Sequence, residues 1–186
     1  MARTESAMIE LGTRAPAFVL EDVITSRRMS IEEVRGEHGL LVMFICRHCP
    51  FVKHVEKELA AIGKEYSGKG VGIVAISSND ADCYSDDSPP SLRLQAEELG
   101  FAFPYLFDET QEIARAYDAT CTPDFFLFDK DMRLVYRGQL DDSRPGNGIP
   151  VDGRDLRAAI NALIAGGTIS EEQKPSIGCN IKWKAG

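Results

Sequence analysis

The sequence has little of what a membrane or nucleic-acid-binding protein needs. Its longest apolar run, residues 40–46, has seven residues, far fewer than the about 18 that a membrane-spanning helix requires. The first twelve residues contain no apolar stretch of the kind found in secretory signals, so we expect a cytoplasmic protein. With 21 basic and 29 acidic residues, the net charge of -8 would repel a phosphate backbone or an anionic membrane. We therefore expect neither nucleic acid nor membrane as a partner.

The sequence also lacks internal repeats, low-complexity tracts and long linkers that would divide it. At 186 residues, with 44% apolar and 27% charged residues, it is predicted to form one globular domain with a sufficient core of its own. We expect this single domain to span residues 1–186. Its core would cover about residues 8–165, preceded by an N-terminal extension and followed by an irregular C-terminal tail at 166–186.

The hydrophobic pattern is typical of an α/β protein. Residues 40–45 form a continuous apolar run, which predicts a strand buried on both faces of a parallel sheet. Pro50 is placed to open an amphipathic helix, and residues 71–76 predict the next strand, which completes a βαβ unit. A hairpin at 125–136 and a helix at 154–165 follow later in the chain. This order predicts a central mixed sheet flanked by helices.

The segment Cys46-Arg47-His48-Cys49 lies at the predicted junction of the buried strand and the helix. Unpaired N–H groups of the first helical turn and the helix dipole favour a thiolate there, and Arg47 and His48 add positive charge. We therefore expect a lowered pKa for Cys46 and assign it as the nucleophile. Cys49, one turn further along, is the expected resolving thiol. These four residues are the predicted catalytic residues.

Two other interpretations of the Cys-x-x-C pair stay open. It could be half of a zinc site, although the nearest further ligand, His54, would lie on the same helix. The two cysteines could instead be inert core residues, because free cysteine is often buried. The total of five cysteines is odd, and a reducing compartment disfavours structural disulfides, so redox or metal chemistry is the stronger expectation.

A second motif, Thr120-Cys121-Thr122-Pro123, opens the predicted hairpin. Together with the Cys-x-x-Cys pair after the first core strand, it resembles the thioredoxin superfamily, and in particular its TlpA-like and AhpC/TSA (redoxin) branch. The resemblance covers about residues 8–165 and implies a thioredoxin-like fold. It also implies that Pro123 is cis, faces the redox motif and, with Thr122 and Cys121, contacts an extended substrate. The alternative is a trans proline that starts an edge strand.

The sequence departs from the pattern of this superfamily at several positions. Residues 40–45 include no carboxylate to accept a proton from Cys49, and His48 is the candidate substitute. Neither Cys46 nor Cys49 fits the P-x-x-x-T-x-x-C motif of peroxiredoxins, so the hydroxyl that would orient a peroxide is absent and peroxidase activity is disfavoured. Cys121 adds a sulfur that could resolve a disulfide, complete a metal site or simply be buried.

Two further cysteines lie outside both motifs. Cys83 belongs to an acidic loop, where neighbouring carboxylates should disfavour a thiolate and leave it unreactive. Cys179 belongs to a stretch that is apolar for a tail, since it includes Ile177, Ile181 and Trp183. This composition predicts that the tail docks on the domain or on a partner. A regulatory or resolving role for Cys179 is one hypothesis.

These features favour a thiol-disulfide oxidoreductase in which Cys46 attacks a substrate disulfide and Cys49 releases the product. The expected partners are protein or small-molecule disulfides and dithiols, with a reductant of the thioredoxin or glutathione type. We expect no cofactor and no bound metal, and the direction of electron flow and the oligomeric state stay open. The alternatives are a peroxiredoxin-like antioxidant peroxidase and a non-catalytic metal carrier using Cys46, Cys49, Cys121 and, in one version, His48.

Overall fold

The structure is a computed structural model that describes residues 3–185. No helix within this range is both long and apolar enough to cross a bilayer. The range contains ten strands and five α-helices. In chain order they are β1 (Arg3–Glu5), β2 (Val19–Asp22), β3 (Arg28–Ser30), α1 (Ile31–Val34), β4 (Gly39–Phe44), α2 (Pro50–Tyr66), β5 (Val71–Ser77), α3 (Pro89–Leu99), β6 (Tyr105–Phe107), α4 (Glu112–Ala116), β7 (Cys121–Thr122), β8 (Asp124–Asp129), β9 (Leu134–Gly138), α5 (Arg154–Ile164) and β10 (Ile177–Asn180).

Seven strands form the central sheet, in the order β3-β2-β6-β5-β4-β8-β9. The β4, β5 and β6 strands are parallel, whereas β8 and β9 add an antiparallel hairpin. Every residue of β4 is buried, as the continuous apolar run predicts. Alternate β4 side chains pack against apolar residues of α2, α3 and α5 on one face and of α1 and α4 on the other. The expected mixed sheet flanked by helices is confirmed.

The βαβ unit formed by β4, α2 and β5 positions the Cys-x-x-C segment. Strand β4 ends at Phe44, and Cys49 is the N-cap of α2, with Pro50 as its first residue. Strand β8 pairs with β4 so that Asp124 lies opposite Phe44. Because Pro123 directly precedes Asp124, this register brings the second motif beside the first.

The C-terminal segment differs from the irregular tail that we expected. Residues Ile177–Asn180 form β10, the central strand of a second, three-stranded sheet in the order β1-β10-β7. Strand β1 lies outside the expected 8–165 core, yet it pairs with β10 from Arg3 to Glu5. Ile181 is buried, so the docking expected from the apolar composition is confirmed. Local sequence did not reveal this strand, because both of its neighbours are distant in sequence.

Gly178 allows β10 to approach β7 closely. A Cβ atom at this position would lie 1.9 Å from the carbonyl oxygen of Thr122, a distance at which any larger residue forces the backbone apart. The strand therefore packs on the residue that precedes Pro123.

Candidate active site

The two motifs meet at Thr122. The Sγ atom of Cys46 lies 3.3 Å from the hydroxyl of Thr122, and the thiol of Cys49 donates to its carbonyl oxygen at 3.3 Å. The peptide bond between Thr122 and Pro123 is cis, as the resemblance implies. Both cysteines are free thiols with no exposed surface. The structure thus brings Cys46, Cys49, Thr122 and Pro123 together in a closed site.

The third sulfur in contact with this pair comes from the C-terminal strand. The Sγ atoms of Cys49 and Cys179 are 2.7 Å apart, although 130 positions separate the two residues in sequence. Cys121 instead donates to the carbonyl oxygen of Pro123 at 3.7 Å, and burial raises its pKa. We expected Cys121 to supply the third sulfur next to the pair. In the structure Cys179 supplies it.

The ionisation of the pair differs from the prediction. Burial raises the pKa of Cys46, and the Cys49 thiol and the negative charge of Asp87 raise it further. The expectation of a lowered pKa for Cys46 is wrong for this closed arrangement, because it assumed access to water. The pKa of Cys49 is lowered, chiefly by the thiol of Cys179 and then by that of Cys46. Loss of one proton from this cluster would therefore leave the charge on Cys49 rather than on Cys46, and would end the donation from Cys49 to the Thr122 carbonyl oxygen.

Asp87 organises the loop between Cys46 and Cys49. Its carboxylate accepts the backbone N–H groups of Arg47 at 2.8 Å and His48 at 3.1 Å, and the side-chain amide of Asn79 at 2.8 Å. It also accepts the Nδ1–H of the His48 ring in a short hydrogen bond. Burial acts to raise the pKa of Asp87, but the bonds from His48 and Asn79 outweigh it and leave the pKa lowered. The carboxylate is therefore charged and fixes the loop conformation.

His48 and Arg47 take different positions from those expected. The Arg47 guanidinium donates to the Ser91 carbonyl at 2.7 Å and reaches Glu98 at 3.3 Å, so its charge is directed towards α3. The His48 ring stacks on Tyr84, and its Nε2 atom is buried without a hydrogen-bond partner among the described residues. One ring nitrogen of His48 lies within 4.8 Å of the Cys46 sulfur, whereas the Arg47 guanidinium is bound at α3.

The potential metal ligands in the described part of the chain also differ from the predicted set. Cys46, His48 and Asp87 place ligand atoms within 4.8 Å of one another, and Cys49 and Cys121 do not belong to this group. The four donors bound to Asp87 already match the roughly four acceptor positions of a carboxylate. The arrangement therefore fits a hydrogen-bond network better than a ligand set.

A second carboxylate that the sequence analysis missed lies next to Pro123. Asp124 is fully buried, accepts the Phe125 N–H at 3.2 Å and has no hydrogen-bond partner at Oδ2 within residues 3–185. Burial raises its pKa to about 7. The residue follows Pro123 directly in sequence, but an Asp at the start of a hairpin gives no sign of burial.

Replacing Asp124 with Asn should make the protein more stable at pH 8 and flatten the pH dependence of stability. The folded state binds the Asp124 proton with a pKa of about 7, against about 3.9 when unfolded. The contribution of this bound proton to the free energy of unfolding is complete below about pH 4 and is lost as the pH rises through 7. The full difference is on the order of 4 kcal/mol. Between pH 5 and pH 8 about 2.7 kcal/mol of this difference is expected, two pKa units at 1.36 kcal/mol each. Urea unfolding of both proteins at these two pH values measures it, and parallel pH slopes would refute the burial argument.

Two residues from the sequence analysis lie away from the sulfur cluster. Cys83 is exposed and its pKa is raised, as predicted, although the main cause is Asp80 and not the carboxylates that follow Cys83 in sequence. The Nε2 atom of His54 lies 2.7 Å from the hydroxyl of Ser143, so this histidine has a hydrogen-bond partner elsewhere in the fold. Cys83 can therefore serve as a control in labelling experiments.

Several known proteins resemble this chain. A thiol-disulfide oxidoreductase ResA from Bacillus anthracis is 27% identical over 130 residues, which cover 68% of each chain. A crystal structure of an uncharacterized conserved protein from Geobacillus kaustophilus is 56% identical, has a TM-score of 0.98 and covers 100% of this chain and 98% of that one. A thiol:disulfide interchange protein of the thioredoxin family from Chlorobium tepidum TLS has 17% identity and a TM-score of 0.64, covers 85% and 99% of the two chains, and shows the common fold.

The match to a protein family agrees with these similarities. Residues 11–137 match the AhpC/TSA family, and this range contains both the Cys-x-x-C segment and the Thr122-Pro123 motif. The chain belongs to the AhpC/TSA family and is an oxidoreductase with a thioredoxin-like fold.

Proposed function

We propose that this protein is a thiol-disulfide oxidoreductase that uses Cys46 and Cys49 as its dithiol pair. The observation that carries the proposal is the packing of both sulfurs on Thr122, the residue that precedes Pro123. This arrangement supports a site where a substrate sulfur would meet Cys46 beside Thr122, and β10 of the same chain already pairs with the backbone of that residue. The name of the ResA relatives agrees with this class of reaction.

In the proposed reaction, the Cys46 thiolate attacks one sulfur of a substrate disulfide and displaces the other as a thiolate. Cys49 then attacks the Cys46 sulfur of the mixed disulfide, which releases the reduced substrate and leaves a disulfide between Cys46 and Cys49. The lowered pKa of Cys49 supports this second step, because it supplies the attacking thiolate. A dithiol or thiol of the thioredoxin or glutathione type would reduce the pair again, and the reverse sequence would oxidise a substrate dithiol.

We propose His48 as a proton acceptor for Cys46, instead of for Cys49 as the sequence suggested, because one of its ring nitrogens lies within 4.8 Å of the Cys46 sulfur. Its Nδ1 atom is held by Asp87, which leaves the unpartnered Nε2 atom free to bind a proton. A carboxylate that fixes one ring nitrogen and stabilises the charged imidazole is a common way to prepare a histidine as a base. Since burial raises the pKa of Cys46, a nearby base would offset part of the cost of ionisation once substrate enters.

Mixed-disulfide trapping tests the proposed function. A Cys49→Ser variant should retain substrates on Cys46, because the residue that resolves the mixed disulfide is gone. Cell extract is incubated with this variant and with a Cys46→Ser, Cys49→Ser double variant, and attached proteins are identified by mass spectrometry after release with reductant. Equal capture by both variants would contradict a nucleophilic role for Cys46. We also propose a cytoplasmic location, which immunoblotting of fractionated cells would test.

A second candidate function, thiol peroxidase, has one observation in its favour. The hydroxyl that the Cys-x-x-C segment lacks is supplied by Thr122, 3.3 Å from the Cys46 sulfur. Peroxide reacts with the thiolate, as a substrate disulfide does, so the raised pKa of Cys46 slows both reactions and does not separate them. Sulfenic acid on Cys46 within seconds at micromolar hydrogen peroxide would favour the peroxidase. If no reaction occurs, the peroxidase is ruled out and disulfide exchange stays the proposed function.

A further inference from the structure

The C-terminal strand occupies the backbone edge that an extended substrate would use in the proposed function. Strand β10 pairs antiparallel with β7, with Cys179 opposite Thr122 and Asn180 opposite Cys121. Strand β10 thus pairs with the backbone of β7 in the way that a bound peptide adds a strand to a sheet. Cys179 then occupies a place where a substrate could present a sulfur.

The register of β10 directs the Cys179 sulfur at Cys49. Their Sγ atoms are 2.7 Å apart, about 0.7 Å more than the length of a disulfide bond. Gly178 makes this approach feasible, because a Cβ atom there would lie 1.9 Å from the Thr122 carbonyl oxygen. Both the strand pairing and the sulfur contact therefore depend on the same short segment.

The chain beyond β10 is anchored on the other side of the site. The Lys182 N–H donates to the Asn79 side chain at 2.8 Å, and Asn79 in turn donates to Asp87 at 2.8 Å. The C-terminal segment therefore contacts the site at two points: at Thr122, through β10, and at Asp87, through Asn79. These contacts hold β10 and Cys179 over the site in the reduced form.

We propose that Cys179 is a third redox-active cysteine, which attacks the Cys49 sulfur of the Cys46–Cys49 disulfide. The bond between Cys46 and Cys49 breaks, a bond between Cys49 and Cys179 forms, and the proton lost by Cys179 is gained by Cys46. The exchange needs no external oxidant, because one disulfide is replaced by another. It rests on the proposed function, which supplies the Cys46–Cys49 disulfide, and it returns Cys46 to the thiol form for a further reaction.

A time course of disulfide mapping tests the exchange. Reduced wild-type protein is mixed with glutathione disulfide, quenched with acid at intervals, alkylated and digested with trypsin. Cleavage after Arg47 and Lys53 separates the cysteines, so a Cys46–Cys49 disulfide links peptides 36–47 and 48–53. A Cys49–Cys179 disulfide links peptides 48–53 and 158–182. We expect the first linked pair to form early and to be lost as the second appears, with Cys46 alkylated again.

Three variants make the outcome specific. Cys179→Ser should keep the first linked pair and lose the second, whereas Cys83→Ser, as a matched control, should behave like the wild type. Gly178→Ala keeps all five thiols but displaces β10, so it should lose most of the second pair.

Wild-type protein that accumulates only the Cys46–Cys49 disulfide would overturn the exchange and leave the proposed function intact. A Cys49–Cys179 disulfide that forms equally fast in Cys46→Ser would also overturn it, and failure of Cys46 to form any disulfide would refute both.

Discussion

Cys46→Ser is expected to lower the rate of disulfide reduction by at least about 1,000-fold, since a residue that forms the covalent intermediate has no substitute. Serine keeps nearly the same volume at this fully buried position, so the fold should be retained. The loss should appear in both the rate of substrate reduction and the transient mixed disulfide. Stopped-flow reduction of a small chromogenic disulfide measures the first, and intact-mass analysis measures the second.

The matched control for this prediction is Cys83→Ser. Cys83 is exposed and makes no contact with the other sulfurs in the described part of the chain, and Asp80 raises its pKa, so its removal should leave the rate unchanged. Cys46→Ser protein that retains more than about a tenth of the wild-type rate would place the nucleophile elsewhere. Cys49, which carries the lowered pKa in the closed structure, would then be the first alternative.

Asp87→Ala should destabilise the fold by roughly 3–5 kcal/mol, in the range found when one partner of a buried charged network is removed. The change leaves the backbone N–H groups of Arg47 and His48 without their acceptor and releases the Asn79 side chain. It should also lower the pKa of Cys46, because the negative charge of Asp87 is one of the causes that raise it. Urea denaturation measures the stability, and the pH dependence of alkylation measures the Cys46 pKa.

Asp86→Ala provides the comparison for Asp87→Ala. Asp86 belongs to the same short turn, Ser85–Asp87, but its side chain is exposed. Its replacement should change the stability by no more than about 0.5 kcal/mol, as is usual for surface positions. Equal effects of the two substitutions would show that the network around Asp87 does not hold the loop as described.

The parts of the fold with strong local signals could be predicted from the sequence. The apolar run that forms β4 and the proline that opens α2 each act on neighbouring residues, so their structure is encoded locally. The cis Pro123 followed from resemblance to a family and not from the residues themselves. Together these features located the junction where Cys46 lies.

The contacts that complete the site could not be predicted in the same way. Cys179 meets Cys49 across 130 residues, and Asp87 meets the His48 ring across 39. No periodicity connects such positions, because only tertiary packing decides which loops meet. A four-residue strand such as β10 is also too short to give a clear alternating pattern.

The error on the Cys46 pKa has the same origin. A helix N-terminus favours a thiolate, which is a local effect that the sequence can indicate. Burial acts in the opposite direction and depends on distant segments that close over the sulfur. In the closed structure burial has the larger effect on Cys46, and the favourable interactions are directed to Cys49.

A redox titration of the Cys179→Ser variant, in which the competing exchange is removed, tests directly whether Cys46 and Cys49 form a redox-active dithiol pair. The protein is equilibrated in glutathione buffers from about −320 to −180 mV, quenched, and mapped by trypsin digestion. The proposed function predicts a reversible two-electron transition in which peptides 36–47 and 48–53 become linked. Cys46 that stays alkylated at every potential would contradict the claim that it forms a dithiol pair with Cys49.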